Sequence, residues 1–192
     1  MSNDARTIQI LFVVETNSYV RSDNAYIVWL LKKSFSKYII PDIADELFIQ
    51  YDFIYMDGKC NYSKRSIKTD IKFKTTLFSQ LGNTYVVFCI DVDTISRDDK
   101  QLVDNILTFT KANNYHLILF YREIEDVVKA PGGGTKHERV KKFLNNYPKS
   151  CAIDSSCLCV PFENIIDHVG NTNFNTVIQD IISIELKRKM HE

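Results

Sequence analysis

The segment "YVVFCIDVD", residues 85 to 93, stays apolar for six residues and then closes on Asp91 and Asp93. In extended chain, side chains at i and i+2 project from one face, with Cα atoms roughly 6.5–7 Å apart. Carboxylate oxygens ~5 Å apart repel by about 3 kcal/mol at an effective dielectric near 20. A divalent cation offsets this, because hard cations prefer carboxylate oxygen and need only one or two such ligands from the protein. Glu15 closes the first apolar run, "TIQILFVVE", and Glu125 lies in the fourth, "YHLILFYREIEDVV". In open α/β sheets the ligand crevice lies beyond the carboxyl ends of the strands. Glu15, Asp91, Asp93 and Glu125 are therefore expected to converge on one crevice. The plainer alternative has Asp93 capping the next helix and Asp91 facing solvent.

A second feature is basic. Between Lys59 and Lys74, "KCNYSKRSIKTDIKFK" carries six Lys or Arg against one Asp. The whole chain has 24 basic and 24 acidic residues, so no global field draws it to a polyanion and this patch is local. It adjoins the end of the second apolar run, on the same expected rim as the acids. Lys59, Lys64, Arg65 and Lys68 are the candidate phosphate contacts, with Tyr62 or Phe73 available to stack on a base. The alternative is a solvated helix face. "PGGGTKHER", residues 131 to 139, lacks the GxxxxGK[ST] spacing of a phosphate-binding loop. It is expected to be a loop bordering the site, with Thr135, Lys136 and His137 at a helix start.

Four strand-like segments must carry these groups. They are residues 7–15, "YDFIYMDGK" (51–59, stopped by Gly58), 84–93, and 115–128. Between them lie helical patterns: one from Ser22 (a plausible N-cap) through "AYIVWLL", one to about Leu81, and one over 98–114 with Leu102, Ile106 and Phe109 on a face. Such alternation implies an α/β fold with a mainly parallel central sheet of about four strands and helices on both faces. A single domain is expected over 1–192, with a core of about 7–130 and a helical extension of about 131–192. Residues 150–172 give no clear pattern. The closing helix, "NFNTVIQDIISIELKRKM", is amphipathic through Val177, Ile178, Ile181, Ile182 and Ile184, a stripe that serves a core, a partner protein or a second copy.

Hydrophobic residues at 45% and charged residues at 25% are globular values and argue against wholesale disorder. Five cysteines, Cys60, Cys89, Cys151, Cys157 and Cys159, form no CxxC pair or disulfide framework, which points to a reducing compartment. The four histidines form no HxH or HExxH pattern. The polar start and the lack of an apolar run of ~18 residues lead to the expectation of a cytoplasmic protein without membrane association.

"VVE", then "SDNAYIVWLL", then "MDGKCN", then "CIDVD" together resemble a Toprim domain. That fold is shared by topoisomerases, bacterial primases and overcoming-lysogenization-defect (OLD) nucleases. The resemblance covers about residues 7 to 130. It implies a Toprim/Rossmann-like sheet and Mg2+- or Mn2+-dependent phosphodiester chemistry, with Glu15, Asp91 and Asp93 as metal ligands. "YREIEDVV" is similar to a later segment of defence-associated Toprim proteins and would add Glu125 to the catalytic set. The family has glycine after the glutamate, where this chain has Thr16 followed by an inserted "NSYVR", so the first loop is expected to be reshaped. The implied activity is a metal-dependent nuclease acting on DNA or RNA in phage defence. The other reading is a catalytically inactive Toprim-like or flavodoxin-like module that binds a partner protein.

Overall fold

The computed structural model describes residues 6–19, 21–38, 47–93, 96–130, 132–146 and 155–189. Its centre is β1 (Arg6–Val14), buried without interruption from Ile8 to Val14, as a strand covered on both faces must be. β2 (Leu47–Tyr55) and β3 (Gly82–Val92) flank it, and β4 (His116–Tyr121) lies beyond β3. The order is β2-β1-β3-β4 and every pairing is parallel. The protein is thus an α/β fold with a four-stranded parallel sheet and helices on both faces.

Strand alternation divides the core in two. Phe12, Val14, Val87 and Cys89 point to one face, where α1 (Ser22–Tyr38), α5 (Lys136–Asn146) and α6 (Phe174–Lys189) contribute Tyr26, Leu30, Phe143 and Ile178. Leu11, Val13, Phe88 and Ile90 point to the other, against Ile67 and Ile71 of α2 (Arg65–Phe78) and Val103 and Ile106 of α3 (Arg97–Ala112). Val177, Ile178, Ile181 and Ile182 of α6 are buried in the first cluster, while Ile184 stays 39% exposed. The apolar stripe of the closing helix therefore serves the chain's own core.

Two strand boundaries differ from expectation. β2 begins at Leu47 rather than Tyr51, and ends before "MDGK", because Asp57 and Gly58 take positive φ and turn the chain. Its first residues sit on an edge with Phe48 57% exposed, which blurs the burial pattern a sequence reading relies on. β4 stops at Tyr121 instead of running to 128: Arg122 adopts φ 67 and Ile124–Val127 forms a helical turn, α4. Residues 155 to 172 hold two 3-10 turns, Ser155–Leu158 and Phe162–Asp167, and an antiparallel bridge from Thr172 to Phe120. Residues 150–154 (with Cys151) and His191 fall outside the described residues. Among the described residues no helix is long and apolar enough to cross a membrane.

Gly82 opens β3 directly beside Thr7, and a Cβ there would lie 1.7 Å from the Thr7 carbonyl oxygen. Backbone on both sides leaves nothing flexible to yield. Gly82→Ala is expected to lower the unfolding free energy by about 1–3 kcal/mol, read by urea denaturation.

Candidate active site

β1 and β3 are neighbours from which the chain departs in opposite directions, to β2 and to β4, so the crevice at their carboxyl ends is the topological switch point of the sheet. Glu15 follows β1 and Asp91 lies near the end of β3. Glu15 Oε1 accepts a 2.7 Å hydrogen bond from the Asp91 backbone N–H, so the glutamate turns in toward the aspartate despite Thr16 standing where the Toprim pattern has glycine. Asp91 Oδ1 in turn accepts from Ile124 N–H at 3.2 Å. Arg122 N–H donates to the Val92 carbonyl at 2.9 Å. These two bonds draw the chain after β4 across the end of β3 and bring α4, with Glu125, to the same edge.

Glu125 is 5% exposed and both its carboxylate oxygens are buried without a hydrogen-bond partner among the described residues. The Arg139 guanidinium approaches Oε1 at 3.9 Å. Asp23, in the first turn of α1 and 6% exposed, is a further acid of this edge; its side chain accepts from the Ser22 hydroxyl at 3.1 Å. Ser22 is the first residue of α1 rather than the residue before it.

Asp93 is the more exposed acid, though its charge still acts on Glu15. Its side chain is 53% exposed and its Oδ2 accepts from the Lys59 ammonium at 2.5 Å. The same ammonium donates to the Asp91 carbonyl oxygen at 3.0 Å and lies 3.7 Å from Asp99. Lys59 is aimed there by the "MDGKCN" turn: Gly58 N–H bonds the Glu15 carbonyl at 2.8 Å, and Asn61 donates to the Met56 and Asp57 carbonyls. The plainer reading of the acids does not hold, because Ser96, not Asp93, caps α3 through the Asp99 N–H, and Asp91 is partly buried.

The charges explain one another. Burial, against the pull of Lys59, raises the Glu15 pKa to about 7. Burial first, then the charges of Glu15, Asp23 and Glu125, hold Asp91 well above the usual carboxylate range. Asp23 and Glu125 are also raised by burial, with Lys136 acting against the shift in both. Burial works against the charge of Lys59, but its Asp93 hydrogen bond and the nearby carboxylates outweigh it and its pKa is raised. Lys136 follows the same pattern with Glu125, Asp23 and Asp91. Four acids thus share a water-poor edge between one lysine from the β2–α2 turn and one from the start of α5.

No protein-family model, curated protein or solved structure matches this chain.

The remaining candidates of the basic stretch are distributed along α2. Lys64 precedes the helix and Arg65 begins it, both exposed, while the Lys68 ammonium lies 5.3 Å above the Phe109 ring. Tyr62 is half-buried, edge-on to Phe109, and Phe73 is 62% exposed. Asp23 and Arg139 complete the edge without having stood among the sequence-based site residues, and Lys136, expected on a loop bordering the site, joins them. Asp23 and Lys136 carried a signal: Asp23 opens an apolar helix after the first strand, and Lys136 follows three glycines.

The donor set suits a hard divalent cation, since every acid offers oxygen and Glu125 holds two oxygens with no hydrogen-bond partner among the described residues. The side chains are not gathered into a finished cage. Among the described residues no three Asp, Glu, His or Cys groups are disposed to hold a metal ion, and the Lys59 ammonium occupies Asp93.

Proposed function

We propose that this chain is a Toprim-type phosphodiester hydrolase, a nuclease dependent on Mg2+ or Mn2+. The observation that carries the reading is the Glu15 carboxylate on the Asp91 N–H: it joins the ends of β1 and β3 at the switch point, beside the desolvated Glu125. Glu15, Asp91 and Asp93 are the residues that would hold the metal. Such an ion polarises a phosphoryl oxygen and makes a bound water nucleophilic near neutral pH. Glu15, partly protonated at neutrality by its pKa of about 7 in the metal-free fold, would give up that proton on binding the metal. Lys59 places a cation at the rim between Asp93 and Asp91, where a scissile phosphate would arrive. Lys64, Arg65 and Lys68 lead away from it along α2 and suit the flanking phosphates of DNA or RNA. Phage defence is the setting that the resemblance to defence-associated Toprim proteins supports.

A second reading has one observation in its favour. With Lys59 bound to Asp93 and no three acids around one point, the charges are already satisfied in part by lysine. That favours a metal-free module that binds a partner protein.

Thermal melting with added metal separates the two. The hydrolase reading expects either Mg2+ or Mn2+ to stabilise the protein by about 2.7 kcal/mol once free metal is a hundredfold above its dissociation constant. For a chain of this size that is a rise of about 5–10 °C. Single- and double-stranded DNA and RNA incubated alongside should be cut in the stabilising metal. Unmoved melting in both metals together with intact substrates leaves the metal-free module standing.

A further inference from the structure

We propose that the chain has a second phosphate-binding surface, a basic groove at the amino edge of the sheet that binds the backbone of a single-stranded nucleic acid. It lies at the opposite end of the strands from the acids and goes beyond the hydrolase reading, standing whether or not that edge cleaves anything.

Two cavities form the groove. One, of about 470 Å3, opens between α2 and the end of α3 over Val86. The other, of about 550 Å3, runs beneath the starts of β3 and β4 to α6. Both are lined by Thr84, Asn114 and Tyr115, so they adjoin. Lys68 and Lys72 border the first, Lys111 and Arg188 the second, and among the described residues no acidic side chain lines either. In a chain with equal numbers of acids and bases this is not a consequence of composition.

The cations are poorly compensated from within. The side chains of Lys72 and Lys111 make no ion pair or hydrogen bond among the described residues, and both are exposed. Lys68 and Lys72 stand at i and i+4 on α2, a spacing at which like charges repel. Arg188 lies 3.9 Å from Glu185, whose carboxylate is already taken by the Tyr85 hydroxyl at 2.6 Å, the Asn83 amide and Arg6. Asp180 acts on His116 at the same end. Hydroxyl and amide groups stand between the cations, among them Thr75, whose Oγ1 is buried without a hydrogen-bond partner.

The shape of this charge selects the ligand. Cations from α2, α3 and α6 spread over two adjoining cavities suit a series of phosphates rather than one compact anion. The rings in the groove are occupied: Tyr115 stacks on Phe88 with centroids 5.9 Å apart, and Tyr85 holds Glu185. With no free ring to stack on bases, binding should track the backbone and tolerate any sequence.

Fluorescence anisotropy with the full chain and a labelled 16-nucleotide oligo(dT), in EDTA, tests this. Binding should weaken with salt, with a log–log slope of about −0.7 per phosphate neutralised. Combining Lys72→Glu and Lys111→Glu should weaken it at least tenfold and flatten the slope, with melting temperature unchanged because both side chains are exposed. A 4-nucleotide oligomer and inorganic tripolyphosphate should each bind more weakly than the 16-mer. The proposal is overturned if the 16-mer does not bind, or if the double variant binds normally while Lys64→Glu with Arg65→Glu does not. Tripolyphosphate matching the 16-mer would also overturn it, in favour of a small polyphosphate ligand.

Discussion

Asp91→Asn is expected to remove metal-dependent phosphodiester cleavage by at least about a hundredfold, the upper range for loss of a group that merely supports a metal ligand. The substitution is chosen because asparagine keeps a side-chain oxygen for the Ile124 N–H and nearly the same volume. The head of α4, and with it Glu125, should stay in place. What disappears is a carboxyl able to ionise, in an edge where burial first, and then the charges of Glu15, Asp23 and Glu125, hold its pKa well above the usual range. The variant should therefore be at least as stable as the parent in EDTA and lack the rise in melting temperature that the hydrolase reading expects from Mg2+ or Mn2+. Cleavage at parental rate by a variant with these melting properties would remove Asp91 from the chemistry. Lower stability in EDTA would instead show that the charge is worth more to the fold than its repulsions cost.

The second large effect concerns pH. Glu15 ionises near 4.5 in an open chain and at about 7 in the fold. Between those values the folded protein holds a proton that the unfolded chain has released. The associated stability is present in full below pH 4.5 and is lost as pH rises through 7. The difference corresponds to about 3 kcal/mol, or some 6–12 °C in melting temperature for a chain of this length. Melting in EDTA should accordingly fall between pH 5.5 and 8.5. Glu15→Gln, still able to accept the Asp91 N–H, should flatten much of that fall and melt higher than the parent at pH 8.5. Asp23, Asp91 and Glu125 are shifted in the same direction, so a slope of the same sign should remain in the variant. A parental slope in Glu15→Gln would mean that the glutamate does not carry the titration.

Much of the architecture was legible because its signal is local. Ile10 to Val14 and Tyr85 to Ile90 are apolar on successive residues, which a strand covered on both faces demands, and both are central strands. α3 was legible over 98–114 from Leu102, Ile106 and Phe109 on a face, although the residues it buries are Val103, Ile106 and Thr110 and its cap is Ser96. β2 was read short because half of an edge strand faces water and its pattern is weak. β4 was read long because "EIEDVV" is apolar enough for a strand; it curls into α4 since the Arg122 and Ile124 N–H groups bond Val92 and Asp91, residues some 30 positions away.

For the site, chain chemistry alone identified which acids stand at strand ends. Placement beyond the carboxyl edge follows from strand direction, and Glu15 and Asp91 do meet there. Which groups share that edge was a matter of contacts distant in sequence. Lys59 reaches Asp93 and the Asp91 carbonyl across 34 and 32 residues, and Arg139 and Lys136 come to Glu125 from the far side of a glycine loop. A carboxylate's neighbours and its distance from water arise from three-dimensional packing. Residue type sets what a side chain is able to bind, and the folded surroundings set its charge at neutral pH and the cation that reaches it first.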